Sequence, residues 1–346
     1  MPKERTVWRR NNASRSLERH TEPLADRLPL TSILIKVHAV SLNYRDMNIL
    51  NGTNPWPTLD NGIPCSDAAG EVIAIGDSVA RFAVGDKVCP ILDQLAITGD
   101  EQRRAWLGGE IEGVLASHIV MDQETCVCLP AHLPWEESAC LPNAGVTAWS
   151  SLVDSSRSLR AGQTVLLQGT GGVSIMALKL ALAFGSKAII TSSSDEKLDK
   201  VRSQYPQVKT INYRTTPNWH EKAVDMNGGR GVDIVLDIGG TSSLLKSLRA
   251  VAKGGTISQV GYLSKQDVAD LEGFIHLLID KTAVLRGINV GSRRDFEQMN
   301  EFVGASGLQF DDIIDETFPT SRLEEAFGAL RSQKFVGKIV IMMEQD

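Results

Sequence analysis

The sequence predicts an α/β protein in which a doubly wound parallel sheet is joined to a compact, barrel-like β domain. Two observations support this prediction. From residue 165 to residue 291, apolar strand patterns alternate with helical patterns, which is typical of a parallel sheet covered by helices. Residues 32–129 instead hold short strand patterns separated by Gly, Pro and Asn turn signals, which indicates a β domain.

The elements predicted for the β domain come first along the chain. Strands are predicted at ILIKVHAVSLN (33–43), AAGEVIAIGDSV (68–79) and GDKVCPI (85–91). The segment 129–153 then predicts a capped helix, a proline break and a second helix, which together lead into the next domain.

The parallel sheet follows. Its strands are predicted at 165–169, 188–193, 208–213, 232–239, 255–261 and 283–291, with helices such as 173–184, 196–204 and 241–251 between them. The tail predicts two helices, 294–305 and 321–332, and a last strand, 338–343, that returns to the first domain. The predicted domains are therefore 1–133 with 292–346, and 134–291.

Length and charge restrict the class of protein. A chain of 346 residues with 42% hydrophobic content can bury two ordinary cores, and its net charge of −6, with dispersed basic residues, argues against a nucleic-acid partner. Its apolar runs fall far short of the roughly 20 residues that span a bilayer. The first residues lack the apolar core of a signal peptide, so we expect no membrane contact and a cytoplasmic protein. The five cysteines lack zinc-lobe spacing and are expected to be reduced.

Residues 165–185 are the most informative stretch, because a buried strand, a glycine turn and a helix follow one another directly. Gly169 and Gly171 allow a tight turn and close approach of a pyrophosphate, whose charge then meets the N–H groups and positive dipole end of the helix. Ser174 replaces the third glycine of the usual fingerprint and is small enough for close helix–strand packing. The residues predicted to cradle the dinucleotide are Thr170, Gly171, Gly172 and Val173.

The end of the second predicted strand indicates which dinucleotide is bound. No acid stands about twenty residues past the glycines, where an NAD site normally places one for the ribose hydroxyls. Hydroxyls and a cation stand there instead and favour the 2′-phosphate of NADPH, although Asp195 and Glu196 weaken their field. A helix cap at Ser194 or Asp195 is a compatible alternative. The residues predicted to hold the 2′-phosphate are Ser192, Ser193, Lys197 and Tyr213.

Several motifs, in order and over nearly the whole length, carry a family resemblance. They are SLNYRDMNILNG (41–52), the run 64–88, AGVTAWSSL (144–152), the glycine turn, INYR (211–214) and FVGKIVI (335–341). The chain resembles the medium-chain dehydrogenase/reductase superfamily, and within it the zinc-independent, quinone oxidoreductase-like branch that includes fungal enoyl reductases. The resemblance implies a GroES-like substrate domain, a Rossmann domain, a cleft between them and hydride transfer from a nicotinamide.

The resemblance also bears on metal. Zinc members of the superfamily bind the catalytic metal through an early Cys, a His in a Gly-His-Glu segment and a later Cys or Asp. This sequence has Asn43 at the first position and Cys65-Ser66-Asp67 at the second, so no metal site is expected. Without a Lewis acid, reduction of a conjugated double bond is easier to explain than carbonyl–alcohol interconversion.

Catalytic roles are implied for two neighbouring residues. The resemblance places Asn43 toward the nicotinamide and substrate, where its amide could bind either; an ordinary turn after a strand is the alternative. Tyr44 could donate the proton that follows hydride attack, or it could simply pack. A phenol is a slow general acid, so a water or the cofactor's ribose hydroxyl could replace it.

Five further residues complete the predicted cofactor site. In relatives, the segment with Thr147 carries a hydroxyl toward the nicotinamide ribose; a bond to its own helix backbone is the alternative. Gly239 and Gly261 end strands where a ligand would approach closely, although turns also explain them. The resemblance implies that Val290 lines the nicotinamide through its backbone and that Lys338 lies close to the cofactor, unless it is a surface lysine.

The function predicted from the sequence is NADPH-dependent, zinc-independent reduction of an activated C=C bond in a small electrophilic molecule: an enone, an enoyl thioester or a quinone. By resemblance, a role in a biosynthetic pathway is plausible. The alternatives are a quinone or carbonyl reductase of the same fold and a nucleotide-binding protein with little turnover. A homodimer is expected, because strands 255–262 and 283–291 lie near the sheet edge, where subunits of this superfamily commonly pair.

Overall fold

The computed structural model describes residues 1–154 and 158–344, and its chain divides into two compact units. The barrel unit contains Met1–Val146 and the segment from Gly291 onward, and the parallel-sheet unit contains Thr147–Val290. The predicted division at residue 133 falls earlier than the observed one. The intervening segment, Trp135–Ser138 and Leu141–Gly145, packs on strands of the barrel unit and therefore belongs to it.

The strands of the described residues, in chain order, are β1 (Glu4–Asn11), β2 (Ser16–Pro23), β3 (Ser32–Ser41), β4 (Asp67–Ile75), β5 (Lys87–Pro90), β6 (His118–Asp122), β7 (Cys126–Cys128), β8 (Thr164–Gln168), β9 (Lys187–Ser192), β10 (Lys209–Asn212), β11 (Val232–Asp237), β12 (Val251–Gln259), β13 (Val284–Gly287), β14 (Ile314–Pro319) and β15 (Lys338–Met342). The helices are α1 (Tyr44–Leu50), α2 (Trp135–Ser138), α3 (Val146–Leu152), α4 (Gly172–Ala183), α5 (Asp195–Gln204), α6 (Trp219–Met226), α7 (Thr241–Ala250), α8 (Phe274–Lys281), α9 (Arg293–Ser306) and α10 (Leu323–Ser332). None of these helices is long and apolar enough to cross a membrane.

The barrel unit is built on a sheet with the strand order β14-β15-β3-β4-β5-β7, and β6 also pairs with β3. Its neighbours are antiparallel except for the parallel pair β14–β15. The predicted return of the last strand to this domain is confirmed, because Val340 of β15 lies opposite Ser41 of β3. The core of the unit is apolar and includes Ile33, Ile35 and Leu115, all nearly inaccessible to solvent.

An N-terminal hairpin, β1–β2, was not predicted from the sequence. Its burial does not alternate: Thr6, Val7 and Trp8 are buried in succession, and the partly buried Arg5 pairs with Glu22 at 3.0 Å. The run therefore lacks the period-2 pattern that predicts a strand. Arg10 is buried and donates hydrogen bonds to the carbonyl oxygens of Leu59 and Gly108. The basic run near the N-terminus therefore has structural partners within the unit.

The parallel-sheet unit has the strand order β10-β9-β8-β11-β12-β13, with every neighbouring pair parallel. Every residue of β8 is buried, as a strand covered by helices on both faces requires. The direction in which strands are added reverses between β8 and β11, which makes the carboxyl ends of these two strands the switch point where ligands bind in such sheets. The predicted α/β fold class is confirmed.

Candidate functional site

The glycine turn after β8 has the shape of an anion cradle. Gly169 has a φ of 77°, and a Cβ added there would meet Ile238 at 2.9 Å, so glycine is needed for the turn itself. A Cβ on Gly171 would meet no described atom within 4 Å. α4 begins at Gly172, and no described side chain caps it. Gly171 therefore keeps open the space in front of the first amides of α4, where a pyrophosphate would lie.

Ser174 explains how this turn functions without a third glycine. Its buried side chain donates a hydrogen bond from Oγ to the carbonyl oxygen of Gln168 at 2.6 Å, which ties α4 to the end of β8. Of the other predicted cradle residues, Thr170 is buried and Val173 is half-buried in the first turn of α4. The predicted cradle residues thus lie together along one continuous turn.

Asp237, at the end of β11, organises this edge of the sheet and was missed in the sequence analysis. Its carboxylate is inaccessible to solvent and accepts hydrogen bonds from six described donor groups. The donors are Gln168 Nε2, Gly239 N, Gly240 N, Ser243 Oγ, Ser247 Oγ and Gln259 Nε2. An acid that ends an apolar strand just before two glycines was the available signal. The carboxylate fixes the ends of β8, β11 and β12 relative to one another.

A cavity of about 420 Å³ opens at the same edge of the sheet. It is lined by Gln168, Gly169, Thr191, Tyr213, Pro217, Trp219, Ile238, Gly239, Ser242, Ser243, Lys246, Leu263 and Ser264. These residues offer hydroxyl groups, apolar surface and one ammonium group, and the described lining includes no carboxylate. A flat, polar and anionic ligand such as an adenine nucleotide matches this chemistry.

The predicted 2′-phosphate residues lie close together after β9 and β10. Ser194 is the N-cap of α5 and accepts a hydrogen bond from the Lys197 backbone at 3.3 Å, so the capping interpretation holds for this serine. Ser192 is buried, and its carbonyl accepts a hydrogen bond from the backbone N–H of Tyr213 at 3.0 Å. Ser193 and Lys197 are half-buried, whereas Tyr213 is exposed at the cavity.

Asp195, one of the two acids beside the predicted 2′-phosphate residues, has a structural hydrogen-bond partner. Oδ1 of Asp195 accepts a hydrogen bond from Asn212 Nδ2 at 2.9 Å. The interaction ties the start of α5 to the end of β10. Asp195 is thereby held by a structural partner.

A second cluster, in the barrel unit, centres on a buried lysine. Lys338 is only 3% exposed, and its Nζ donates hydrogen bonds to Asn43 Oδ1 at 2.6 Å and to the Leu42 carbonyl at 2.7 Å. Such burial excludes the surface-lysine alternative. Because an ammonium group can only donate, it fixes which side of the Asn43 amide carries oxygen. Nδ2 of Asn43 is buried and meets no described partner of ordinary hydrogen-bond geometry.

Asp67 supplies the negative charge of this cluster. Its buried carboxylate accepts hydrogen bonds from Ser66 Oγ at 2.6 Å and from the Asn143 backbone at 3.1 Å. Burial raises the pKa of Asp67, while the Lys338 ammonium and the polar groups of Ser66 and Asn43 oppose that rise. Lys338, Asn43 and Asp67 therefore form one electrostatically coupled group.

The two predicted catalytic residues, Asn43 and Tyr44, differ in how firmly the start of α1 holds them. The backbone N–H of Asn43 donates to Asp46 Oδ2 at 2.8 Å. Asp46 is almost completely buried, and burial raises its pKa to about 6 despite the nearby Arg45 guanidinium. Tyr44 is 45% exposed, so it does not pack into the core. Asn43 is thus fixed by two polar contacts, and Tyr44 lies at the surface of the unit.

Comparison with known proteins identifies the family. Residues 172–305 match the family described as zinc-binding dehydrogenase, and residues 30–131 match the alcohol dehydrogenase GroES-like domain. A zinc-type alcohol dehydrogenase-like protein of Schizosaccharomyces pombe is 36% identical over 317 residues, which cover 90% of this chain and 91% of that protein. The chain belongs to the medium-chain dehydrogenase/reductase superfamily.

Two further relatives support this assignment. A crystal structure from Sinorhizobium meliloti, provisionally assigned as an alcohol dehydrogenase, has a TM-score of 0.87 and 36% identity, and the match covers 99% of both chains. The quinone oxidoreductase of Homo sapiens is 25% identical over 318 residues, which cover 90% of this chain and 89% of that protein. This medium-chain dehydrogenase/reductase is accordingly an oxidoreductase.

One matching family is described as zinc-binding, which raises the question whether the side chains of this superfamily member could bind zinc. Within residues 1–154 and 158–344, no group of three or more His, Cys, Asp or Glu side chains could hold a metal ion. At Asn43, the closest side-chain partner is an ammonium group, which repels a dication, and the Asp67 carboxylate is already hydrogen-bonded. The donors at this position do not fit zinc.

The remaining predicted residues of this superfamily member lie in the parallel-sheet unit. Thr147, on α3, is buried, and its carbonyl accepts a hydrogen bond from Ser151 Oγ at 2.7 Å. Gly239 lines the cavity, and the N–H of Gly261 lies 3.4 Å from the Asp237 carbonyl oxygen. Val290 has a φ of 60°, a left-handed conformation that is strained for a β-branched residue. That backbone is therefore held by its surroundings against its intrinsic preference.

Proposed function

We propose that the protein is an NADPH-dependent, zinc-independent reductase that reduces an activated C=C bond in an enone, an enoyl thioester or a quinone. The observation that carries the proposal is the Lys338–Asn43 pair, a buried ammonium 2.6 Å from an amide oxygen, at the position where the resemblance would put zinc. The site thus offers an ammonium and an amide, coupled to the buried Asp67 carboxylate, in place of a Lewis acid.

The parallel-sheet unit supports nicotinamide dinucleotide binding through its own residues. The open space beside Gly171 and the uncapped start of α4 fit a pyrophosphate, and the cavity between the ends of β8 and β11 fits an adenosine. When bound, the nicotinamide would supply the hydride. The carboxyl end of β9 holds serines where an NAD site places an acid, and the hydroxyls of Ser192 and Tyr213 favour the phosphorylated form, NADPH.

Asn43 and Lys338 would stabilise charge on the substrate. Hydride addition to the β-carbon of a conjugated acceptor moves negative charge onto its carbonyl oxygen. Because Lys338 holds Oδ1 of Asn43, Nδ2 is the donor side of the amide. Nδ2 is buried and acts on the Asp67 carboxylate, so we propose that it turns toward the substrate oxygen when substrate binds. The nearby ammonium adds a favourable field. Aligned donors of this kind stabilise the enolate without a metal.

The proton for the α-carbon is proposed to come from solvent or from Tyr44. This side chain follows Asn43 directly and is exposed, so it is accessible to water and to substrate. The quinone oxidoreductase among the relatives supports a conjugated acceptor, since a quinone is a doubly conjugated enone. A place in a biosynthetic pathway remains a proposal from the resemblance.

The test is the absorbance loss of NADPH and of NADH after chelator treatment, with a panel of enones, enoyl thioesters, quinones and aldehydes. We expect NADPH to be consumed with conjugated acceptors only. Asn43→Ala should lower kcat/KM about 100-fold, since it removes donors that act on developing charge. Asn48→Ala, on the same helix α1, is the matched control and should retain activity.

Three outcomes would contradict the proposal. Turnover restricted to aldehydes and lost on chelation would indicate a metal-dependent carbonyl reductase. Nucleotide binding without turnover on any acceptor would favour the nucleotide-binding alternative. Equal activity of Asn43→Ala and the wild type would remove the amide from the mechanism.

A further inference from the structure

We infer that Lys246 supplies the cation that recognises the 2′-phosphate of the dinucleotide and thereby selects NADPH over NADH. The inference rests on the proposed function and deepens it, because it assigns the specificity of the same site to a residue on α7.

Lys246 is the one charged residue among the described residues that line the cavity. Its Nζ donates a hydrogen bond to the Pro217 carbonyl at 3.0 Å, on the loop that follows β10. A carbonyl dipole satisfies one of the three ammonium donors and does not neutralise the charge. The cavity therefore presents a net positive charge to whatever enters it.

The hydroxyl groups of the cavity complement this charge. Thr191, Tyr213 and Ser242 line the cavity together with Lys246. A phosphate has three terminal oxygens that accept hydrogen bonds, so an ammonium with neighbouring hydroxyls is a matched partner for it. Trp219 and Ile238 provide the apolar surface that a purine ring needs.

The position of the cavity decides which phosphate is recognised. The pyrophosphate cradle lies at Gly171 and Gly172, and neither residue lines the cavity. Thr191 and Tyr213 belong to the ends of β9 and β10, beside which the adenosine end of a dinucleotide lies in a doubly wound sheet. At that end NADPH carries the 2′-phosphate and NADH carries only hydroxyls. A cation there discriminates between the two.

Lys197, the cation that the sequence predicts for the 2′-phosphate, lies outside the cavity. Lys197 is half-buried in the first turn of α5, with its backbone N–H bonded to the Ser194 cap, and it does not line the cavity. The two lysines are on different helices, α5 and α7. The structure therefore assigns the cavity-side contact to Lys246.

The experiment measures binding of adenosine fragments by calorimetry, so that it needs neither a substrate nor catalysis. The probes are 2′,5′-ADP, which represents the NADPH end, 5′-AMP, which represents the NADH end, and 3′,5′-ADP, which represents the adenosine end of coenzyme A. The variants are Lys246→Met, which keeps the apolar stem, and Lys246→Arg, which keeps the charge. Lys253→Met is the control for net charge, because Lys253 is exposed in the first half of β12, away from the carboxyl ends of the strands.

Lys246→Met should weaken 2′,5′-ADP about 10-fold and leave 5′-AMP within about 2-fold. Lys246→Arg should retain most of the preference, and Lys253→Met should behave as the wild type. Added salt should weaken 2′,5′-ADP more than 5′-AMP in the wild type, and that difference should shrink in Lys246→Met. Equal thermal unfolding of the variants would show that they remain folded.

The outcomes separate this inference from the proposed function. A wild type that prefers 2′,5′-ADP while Lys246→Met keeps the full preference would overturn the role of Lys246 and leave NADPH use intact. A wild type that binds 2′,5′-ADP no better than 5′-AMP would overturn both the inference and the NADPH preference. Tighter binding of 3′,5′-ADP than of 2′,5′-ADP would assign the cation to a 3′-phosphate and would also overturn the inference.

Discussion

Asp46 shows how a single buried residue can make the barrel unit sensitive to pH. It accepts the backbone N–H of Asn43, so its charge state acts directly on a residue of the proposed substrate site. Burial raises its pKa from 3.8 to about 6, which means that folding favours the protonated carboxyl. Asp46 therefore contributes stability at low pH, and this contribution is lost as the pH rises through about 6.

We predict that Asp46→Asn flattens this dependence. Between about pH 5 and pH 8 the free energy of unfolding of the wild type should fall by about 1 kcal/mol relative to the variant. Asn keeps the oxygen that accepts from Asn43 but cannot ionise. Denaturant unfolding of both proteins at the two pH values measures the difference, in which contributions of other carboxyl groups cancel. A constant difference across the range would contradict the assignment.

Individual site residues could be predicted from the sequence where they belong to a recognisable motif. Asn43 and Lys338 were predicted from two motifs nearly 300 residues apart, and the structure brings their side chains within 2.6 Å. Asp237 and Lys246 could not be selected in this way. Asp237 carries a weak local signal, but its role depends on donors from other strands, and the role of Lys246 depends on a cavity that distant segments form.

At the scale of elements, the turn between β8 and α4 separates two roles of glycine. Gly169 is required by its positive φ and by the contact with Ile238. Gly171 has an ordinary φ of −79° and free space around its Cα. The first glycine therefore serves the fold, and the second serves the ligand.

Alanine at these two positions should give opposite results. Gly169→Ala should lower the free energy of unfolding by about 1–2 kcal/mol, because a side chain is disfavoured at that φ. Gly171→Ala should leave stability nearly unchanged and weaken dinucleotide binding about 10-fold, since its methyl group occupies the pyrophosphate space. Thermal unfolding and NADPH titration of each variant measure both effects. Unchanged NADPH binding by Gly171→Ala would place the pyrophosphate elsewhere.

The elements that were predicted and those that were missed differ in the strength of their local pattern. β8, β9 and β11 are short, almost wholly buried apolar runs, and their alternation with helices was recognised correctly. β2 is mostly exposed and is largely charged and polar, so it has no apolar face to identify it. β14 is likewise mostly polar and forms its parallel pair with β15, a partner that only the tertiary fold supplies.

At the scale of the whole molecule, one edge of the parallel-sheet unit has the character of an interface. β13 is the last strand of the sheet, and Leu285 on it is 38% exposed. On α8, Ile275 and Ile279 lie one helical turn apart and are 60% and 67% exposed. Exposure of several large apolar side chains to water is energetically unfavourable and usually marks a contact surface. We propose that two copies of the chain associate through this edge.

Light scattering after size exclusion should therefore give twice the 37.6 kDa chain mass. Replacing Ile275 and Ile279 together by Lys should shift the protein toward monomer, because two charges would have to be buried without partners. Val84→Lys, at a position of the barrel unit that is 61% exposed, is the control and should not change the mass. A wild-type monomer at all accessible concentrations would contradict the proposal.

The hydrogen bonds to Asp237 have a consequence for synthesis of the chain. Their donors extend in sequence from Gln168 to Gln259, so the edge that receives the dinucleotide is a non-local feature. A nascent chain that carries the glycine turn and the first parallel strands still lacks part of this network. The full network can form only after Gln259 has left the ribosome, so we expect stabilisation by bound cofactor to come late in synthesis.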